Sequence, residues 1–173
     1  NKRFGYTAQK TLDIAQSLYE THKILSYPRT ESRYLSTDIV PELPGVLSAV
    51  LKAPTTSAVA VEALKEQSIE AGKIEVGLLK SKLGKSYVNN SKLTDHHAII
   101  PTNKTAPGNL SPEQKNIYQL VSTRFMSVFL PPEIRDETTA ILKLGEHSFR
   151  AQGGVIKDKG WTIIDPGAAT TGS

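Results

Sequence analysis

The chain has no cysteine, one methionine and one tryptophan in 173 residues. Without thiols there are no disulfides and no thiolate metal sites, as suits an intracellular chain. No apolar run approaches the ~20 residues that a membrane span needs. No secretory signal is visible around Lys2 and Arg3, and no membrane partner is expected. The initiator methionine is missing too, and the chain is expected to begin inside a longer protein. There is no Asp-x-Asp cluster, no phosphate-cradling glycine loop and no dinucleotide fingerprint. No metal-binding or cofactor-binding residue is therefore expected on this chain.

What is present is a mild basic excess. Net charge is +4, which suits a nucleic-acid partner without requiring one. Lys2, Arg3, Lys10, Lys23, Arg29 and Arg33 face only Asp13, Glu20 and Glu31 in the first 35 residues. The excess thus surrounds Tyr27.

Periodicity predicts a helical body followed by strands. A helix from Thr7 to about His22 has Thr7 as N-cap and an apolar stripe of Ala8, Leu12, Ala15 and Tyr19. Ile24 to Tyr27 reads as a short strand that Pro28 ends. Pro44 suits the first turn of a helix to Lys52, and a further helix is expected from Ala58 to about Ala71, closed by Gly72. Residues 73–94 are broken by Gly77, Gly84 and Asn89-Asn90, and read as a basic loop. Ser111-Pro112-Glu113-Gln114 is a capping-box start, with Ile117, Leu120, Val121, Phe125, Val128 and Phe129 as the buried stripe. Strands are expected over 138–144, 147–152 and 161–165, with turns at Gly145-Glu146, Gly153-Gly154 and 158–160. The fold class is α+β, with a boundary near 131–136. The tail 166–173 is expected to be disordered.

Two residues carry possible chemistry. A tyrosine hydroxyl, whose ordinary pKa is about 10, attacks phosphorus only once its proton is removed and charge on the phosphate is stabilised. Arg29, two residues beyond Tyr27, has the planar fork that matches phosphate oxygens. If extended geometry persists through Pro28, the two side chains share one face. Spacing alone favours a half-buried strand tyrosine and an arginine capping a carboxylate. His96 and His97 point to opposite faces in a strand, and a metal site needs further ligands.

The longer string Ser26-Tyr27-Pro28-Arg29-Thr30-Glu31-Ser32-Arg33-Tyr34-Leu35 resembles the active-site segment of type IA DNA topoisomerases, most closely the topoisomerase III branch. Phe4 to Leu12, continued by Ala15 to Glu20, is similar to the helix before that segment. Asp95-His96-His97-Ala98-Ile99-Ile100-Pro101-Thr102 resembles the family's downstream histidine motif. The three occur in family order and span the chain to about Ile164.

The resemblance implies a central fragment of an enzyme that cuts one DNA strand, holds it as a 5′-phosphotyrosine and reseals it without ATP, to relax or decatenate DNA. Tyr27 takes the nucleophile position, Arg29 that of the phosphate-stabilising arginine, and His96 that of the histidine beside the tyrosine. Thr30, Ser32, Arg33 and Thr102 match positions that shape the site and contact DNA. Glu31 stands where aspartate is commoner. Mg²⁺ is implied in an N-terminal domain absent from this chain, so the isolated fragment is expected to be inactive. The implied domains are a helical tyrosine domain (1–132), an antiparallel β portion of a connecting arch (133–165) and the tail. The implied partners are single-stranded DNA and the missing domain, in a bacterial cytoplasm near the nucleoid. A different class remains: a non-catalytic nucleic-acid-binding or interaction module working through segment 73–92. A tyrosine recombinase is a weaker rival, because its dispersed arginine and histidine set is not recognisable.

Overall fold

A computed structural model describes residues 2–167. It contains five helices, α1 (Ala8–Glu20), α2 (Leu43–Lys52), α3 (Ala58–Lys65), α4 (Val76–Tyr87) and α5 (Pro112–Ser127), followed by one antiparallel hairpin, β1 (Ile134–Leu144) and β2 (His147–Asp158). The α+β expectation holds.

Two apolar clusters build the helical body. Leu18 of α1, Ile24, Leu25, Ala106, Leu110, Ile117 and Tyr118 form one. Leu35, Leu43, Leu47, Val50, Leu64, Leu79, Leu83, Ile100, Phe125 and Phe129 form the other. Helix α5 spans both, which widens its buried surface beyond a single stripe. Tyr118 and Met126 join its buried face, whereas the expected Leu120 is 36% exposed. The capping box is complete: the Ser111 hydroxyl accepts from Gln114 N–H, and the Gln114 side chain accepts from Ser111 N–H. Gln114 also donates to the Ser17 hydroxyl at 2.8 Å, fastening α5 to α1. Asn116 donates to the Tyr6 hydroxyl at 3.0 Å along the same interface.

Several local expectations are overturned. Residues 24–27 form no strand; Leu25 makes a single antiparallel bridge to Pro101. Helix α3 stops at Lys65 because the chain must reverse to bury Ile69, which is wholly inaccessible. Ser68 takes the left-handed conformation that this reversal needs. The expected basic loop contains α4, which is held by Leu79 and Leu83 one helical turn apart and kinked at Gly84 (φ 52°). The hairpin turn falls at Gly145-Glu146 as expected. Only Gly145 has positive φ there, the pattern of a II′ turn. Gly153 and Gly154 do not turn; they sit inside β2 opposite Thr138 and Glu137.

No third strand follows. Residues Gly160–Ile163 form a 3-10 turn instead. The turn is held by Trp161 N–H on the Pro131 carbonyl at 2.8 Å, and by the Thr162 hydroxyl near Glu133. Tertiary contact with the end of α5 overrides the strand pattern, and the Arg124 guanidinium lies over the Trp161 ring. An Arg3–Asp165 ion pair ties the N-terminal segment to the same region. Of the expected disordered tail, residues 168–173 lie outside the described residues. Gly167 lies against the Arg3 guanidinium.

Every residue of β1 and β2 is exposed. Among the described residues the sheet has two strands, so both outer edges are open. No described helix is long and apolar enough to cross a membrane.

Candidate active site around Tyr27

The segment after α1 runs beneath the histidine motif, and the two are pinned by backbone and hydroxyl bonds. Ser26 N–H donates to the Ile100 carbonyl and Thr102 N–H to the Ile24 carbonyl, at 2.9 and 3.0 Å. The Ser26 hydroxyl accepts from Ile100 N–H at 2.9 Å. The Thr102 hydroxyl donates to the Lys23 carbonyl at 2.7 Å. Lys23 is left-handed (φ 57°), and this turns the chain from α1 into the buried pair Ile24-Leu25. On the other side Ala98 N–H donates to the Tyr34 carbonyl at 2.8 Å. Residues 27–33 therefore form an arch whose two feet both stand on segment 96–102.

Inside that arch the Tyr27 ring lies against two others. The His96 ring centroid is 4.4 Å away at a 40° tilt. Tyr19 meets Tyr27 edge-on at 5.5 Å and 80°. Tyr27 is half-buried, while Arg29 and His96 are exposed. Arg29, Thr30, Glu31, Asp95 and His96 line one open cleft of about 610 Å³, floored by Leu12 and Pro28. Arg29 has no carboxylate partner among the described residues, so its guanidinium is free to bind an anion.

The other expected site residues fall into two groups. The Thr30 hydroxyl lies 3.3 Å from the His96 carbonyl and accepts from Ser32 N–H at 3.1 Å. The Ser32 hydroxyl accepts from Tyr34 N–H at 3.1 Å. With Thr102, these hydroxyls hold the arch in shape. Arg33 is exposed and points elsewhere, lining a separate apolar groove with Arg124, Leu35 and Phe125. The structure thus brings Tyr27, Arg29, Thr30 and His96 together and sets Arg33 apart.

Sequence reasoning missed Tyr19 and Ser26 as parts of the site. Tyr19 was read only as a member of the α1 stripe. Its position directly before the tyrosine segment was the available signal. Ser26 carried none, because its partner Ile100 is distant in sequence.

Among the described residues no group of three or more His, Asp or Glu is placed to hold a metal ion. The donor set therefore does not fit the Mg²⁺ that the resemblance implies for the full-length enzyme, and no step of the chemistry below passes through it.

The sequence matches the family described as DNA topoisomerase over residues 1–172. It is 39% identical to DNA topoisomerase 3 of Bacillus licheniformis over 165 residues, which is 95% of this chain and 21% of that protein. The corresponding Bacillus subtilis protein is 38% identical over 165 residues, with the same coverage. The Bacillus cereus protein is 40% identical over 168 residues, again covering 95% of this chain and 21% of its own length. The chain spans about a fifth of the length of these relatives. With the match running nearly end to end, the chain belongs to the DNA topoisomerase family.

Proposed function

We propose that this chain is the part of a type IA DNA topoisomerase that carries the nucleophile, Tyr27. The observation that carries the reading is the ring contact of Tyr27 with His96, which lines one open cleft together with an Arg29 that has no carboxylate partner among the described residues, the two motifs being pinned together. The Tyr27 oxygen attacks a DNA phosphorus. A P–O bond to tyrosine forms, and the bond to the 3′ oxygen breaks. The phenolic proton leaves to a base, and the departing 3′ oxygen takes up a proton. The phosphotyrosine conserves the bond, so resealing is the reverse step and needs no ATP. Arg29 holds the non-bridging oxygens where charge develops. His96 donates to the phosphate through an imidazole N–H. Thr30, Ser32 and Thr102 keep the arch in shape, and Arg33 meets the DNA backbone beyond it.

The substrate is single-stranded DNA at the cleavage point, in a bacterial cytoplasm. Mg²⁺ and the carboxylates that handle protons belong to another domain of the full-length enzyme. Residues 1–132 form the tyrosine domain. Residues 133–165 belong to the arch domain, whose remaining chain covers the exposed hairpin faces.

The test uses full-length protein and a 3′-labelled single-stranded oligonucleotide. Wild type forms a covalent adduct on a denaturing gel, and Tyr27→Phe forms none while still binding DNA. A trapped adduct from Tyr27→Phe refutes the nucleophile assignment. Relaxation of supercoiled plasmid by the 173-residue chain alone refutes placing the carboxylate half elsewhere.

A further inference from the structure

Tyr27 is held by rings rather than hydrogen bonds. Its hydroxyl has no hydrogen bond among the described residues, and its two ring contacts are Tyr19 and His96. Those contacts differ in character. His96 is exposed and sits in irregular backbone between Lys92 and Ala98. Tyr19 is in the last turn of α1, and α1 is fastened to α5 through Ser17–Gln114 and Lys10–Glu113, with Tyr6–Asn116 holding the segment just before it. The rigid side of the clamp is therefore Tyr19.

We infer that Tyr19 is a positioning residue for the nucleophile: its ring, braced by α1, sets the angle at which the Tyr27 hydroxyl is presented to the scissile phosphate. The inference rests on the assignment of Tyr27 as nucleophile. An edge-to-face pair is attractive beyond the area it buries and fixes the relative angle of its rings. A displacement of about 1 Å at a reacting atom costs on the order of 100-fold in rate. Swinging the Tyr27 ring moves its oxygen, at the far end of the side chain, further than any other atom. The ring contact does this work, so the Tyr19 hydroxyl is dispensable.

The experiment compares Tyr19→Met and Tyr19→Phe in the full-length enzyme. Methionine is a good helix former that fills irregular space, so α1 and its packing survive. At saturating oligonucleotide, Tyr19→Met slows covalent adduct formation about 10-fold or more, while the dissociation constant for uncleaved DNA stays within about 2-fold. Tyr19→Phe restores the wild-type rate. Wild-type cleavage by Tyr19→Met overturns the inference, as does a loss confined to DNA binding. Slow cleavage by Tyr19→Phe overturns it in another way, by making the hydroxyl the working group. If Tyr19→Met fails to fold, ¹⁹F spectra of fluorotyrosine-labelled protein decide. The Tyr27 resonance, assigned through Tyr27→Phe, must shift when Tyr19 becomes phenylalanine, which carries no fluorine. An unmoved resonance overturns the contact itself. An adduct formed by Tyr27→Phe would instead overturn the nucleophile assignment, so the two failures are distinguishable.

Discussion

Removing the Ser26 hydroxyl should loosen the site, because that oxygen is one of the pins between the two motifs and the one that serves a buried donor. It accepts from Ile100 N–H at 2.9 Å and lies 3.5 Å from the Ala98 carbonyl. Ile100 is only 6% exposed, so water is a poor replacement partner. Ser26→Ala leaves this buried N–H unpaired, which costs about 1–3 kcal/mol. For a chain of this size, a loss of about 2 kcal/mol lowers the melting midpoint by about 4–8 °C. Thr102→Val is the control. It removes the 2.7 Å bond to the Lys23 carbonyl, but Lys23 is exposed and that oxygen can turn to water. Its cost should be smaller, about 0.5–1.5 kcal/mol. Urea denaturation of the two variants beside wild type measures both free energies, and unchanged slopes confirm that stability alone moved. A Ser26→Ala cost below about 0.5 kcal/mol, or one smaller than that of Thr102→Val, refutes the claim that a buried donor depends on Ser26.

Three further outcomes follow from buried or strained groups. The Tyr118 hydroxyl is buried without a hydrogen-bond partner, and burial pushes it up to about 12. Tyr118→Phe should equal or exceed wild-type stability at pH 7, by up to about 1 kcal/mol. The folded state holds this proton more tightly than the unfolded chain does. Wild-type stability is therefore full below pH 10 and falls as pH rises towards 12, by about 1.4 kcal/mol per unit. The gap to the phenylalanine variant should widen over that window in urea melts, and a gap that stays constant refutes the burial argument. Gly160 has φ +47°, and a Cβ there would collide with the Pro131 and Pro132 carbonyl groups. Gly160→Ala should therefore displace the turn that seats the single tryptophan, Trp161, read as a red shift and quenching change in its fluorescence. Gln114→Ala removes the side-chain half of the capping box and the bond to Ser17, and should cost about 1–2 kcal/mol by thermal melting.

The parts of the fold that were legible are those whose signals are local. Thr7 caps α1, and Ser111 with Gln114 caps α5, through groups three residues apart. The II′ turn at Gly145 is likewise decided within two residues. The misses are places where distant contacts choose the conformation. Helix α4 looked like a loop because its glycines and lysines outnumber its anchors. Leu79 and Leu83 fold it only because α2 and the 3-10 turn at Thr37–Glu42 offer them a surface. The strand expected at 161–165 lost to hydrogen bonds with Pro131 and Glu133 at the far end of the hairpin.

The site divides along the same line. Tyr27 and Arg29 were legible because they lie in one string, and His96 because a second string resembled a family motif. Nothing local reports that Ser26 pairs with Ile100, or that Tyr19 leans on Tyr27 across the turn at Lys23. The pins between the two strings close loops of more than 70 residues. The entropic cost of closing a loop grows only slowly with its length, so a few hydrogen bonds at a well-packed seam can hold segments this far apart. Spacing between motifs then carries little information about geometry. The order of the motifs and the chemistry within each carry more, and for that reason the proposed nucleophile was readable from the sequence and the contacts around it were not.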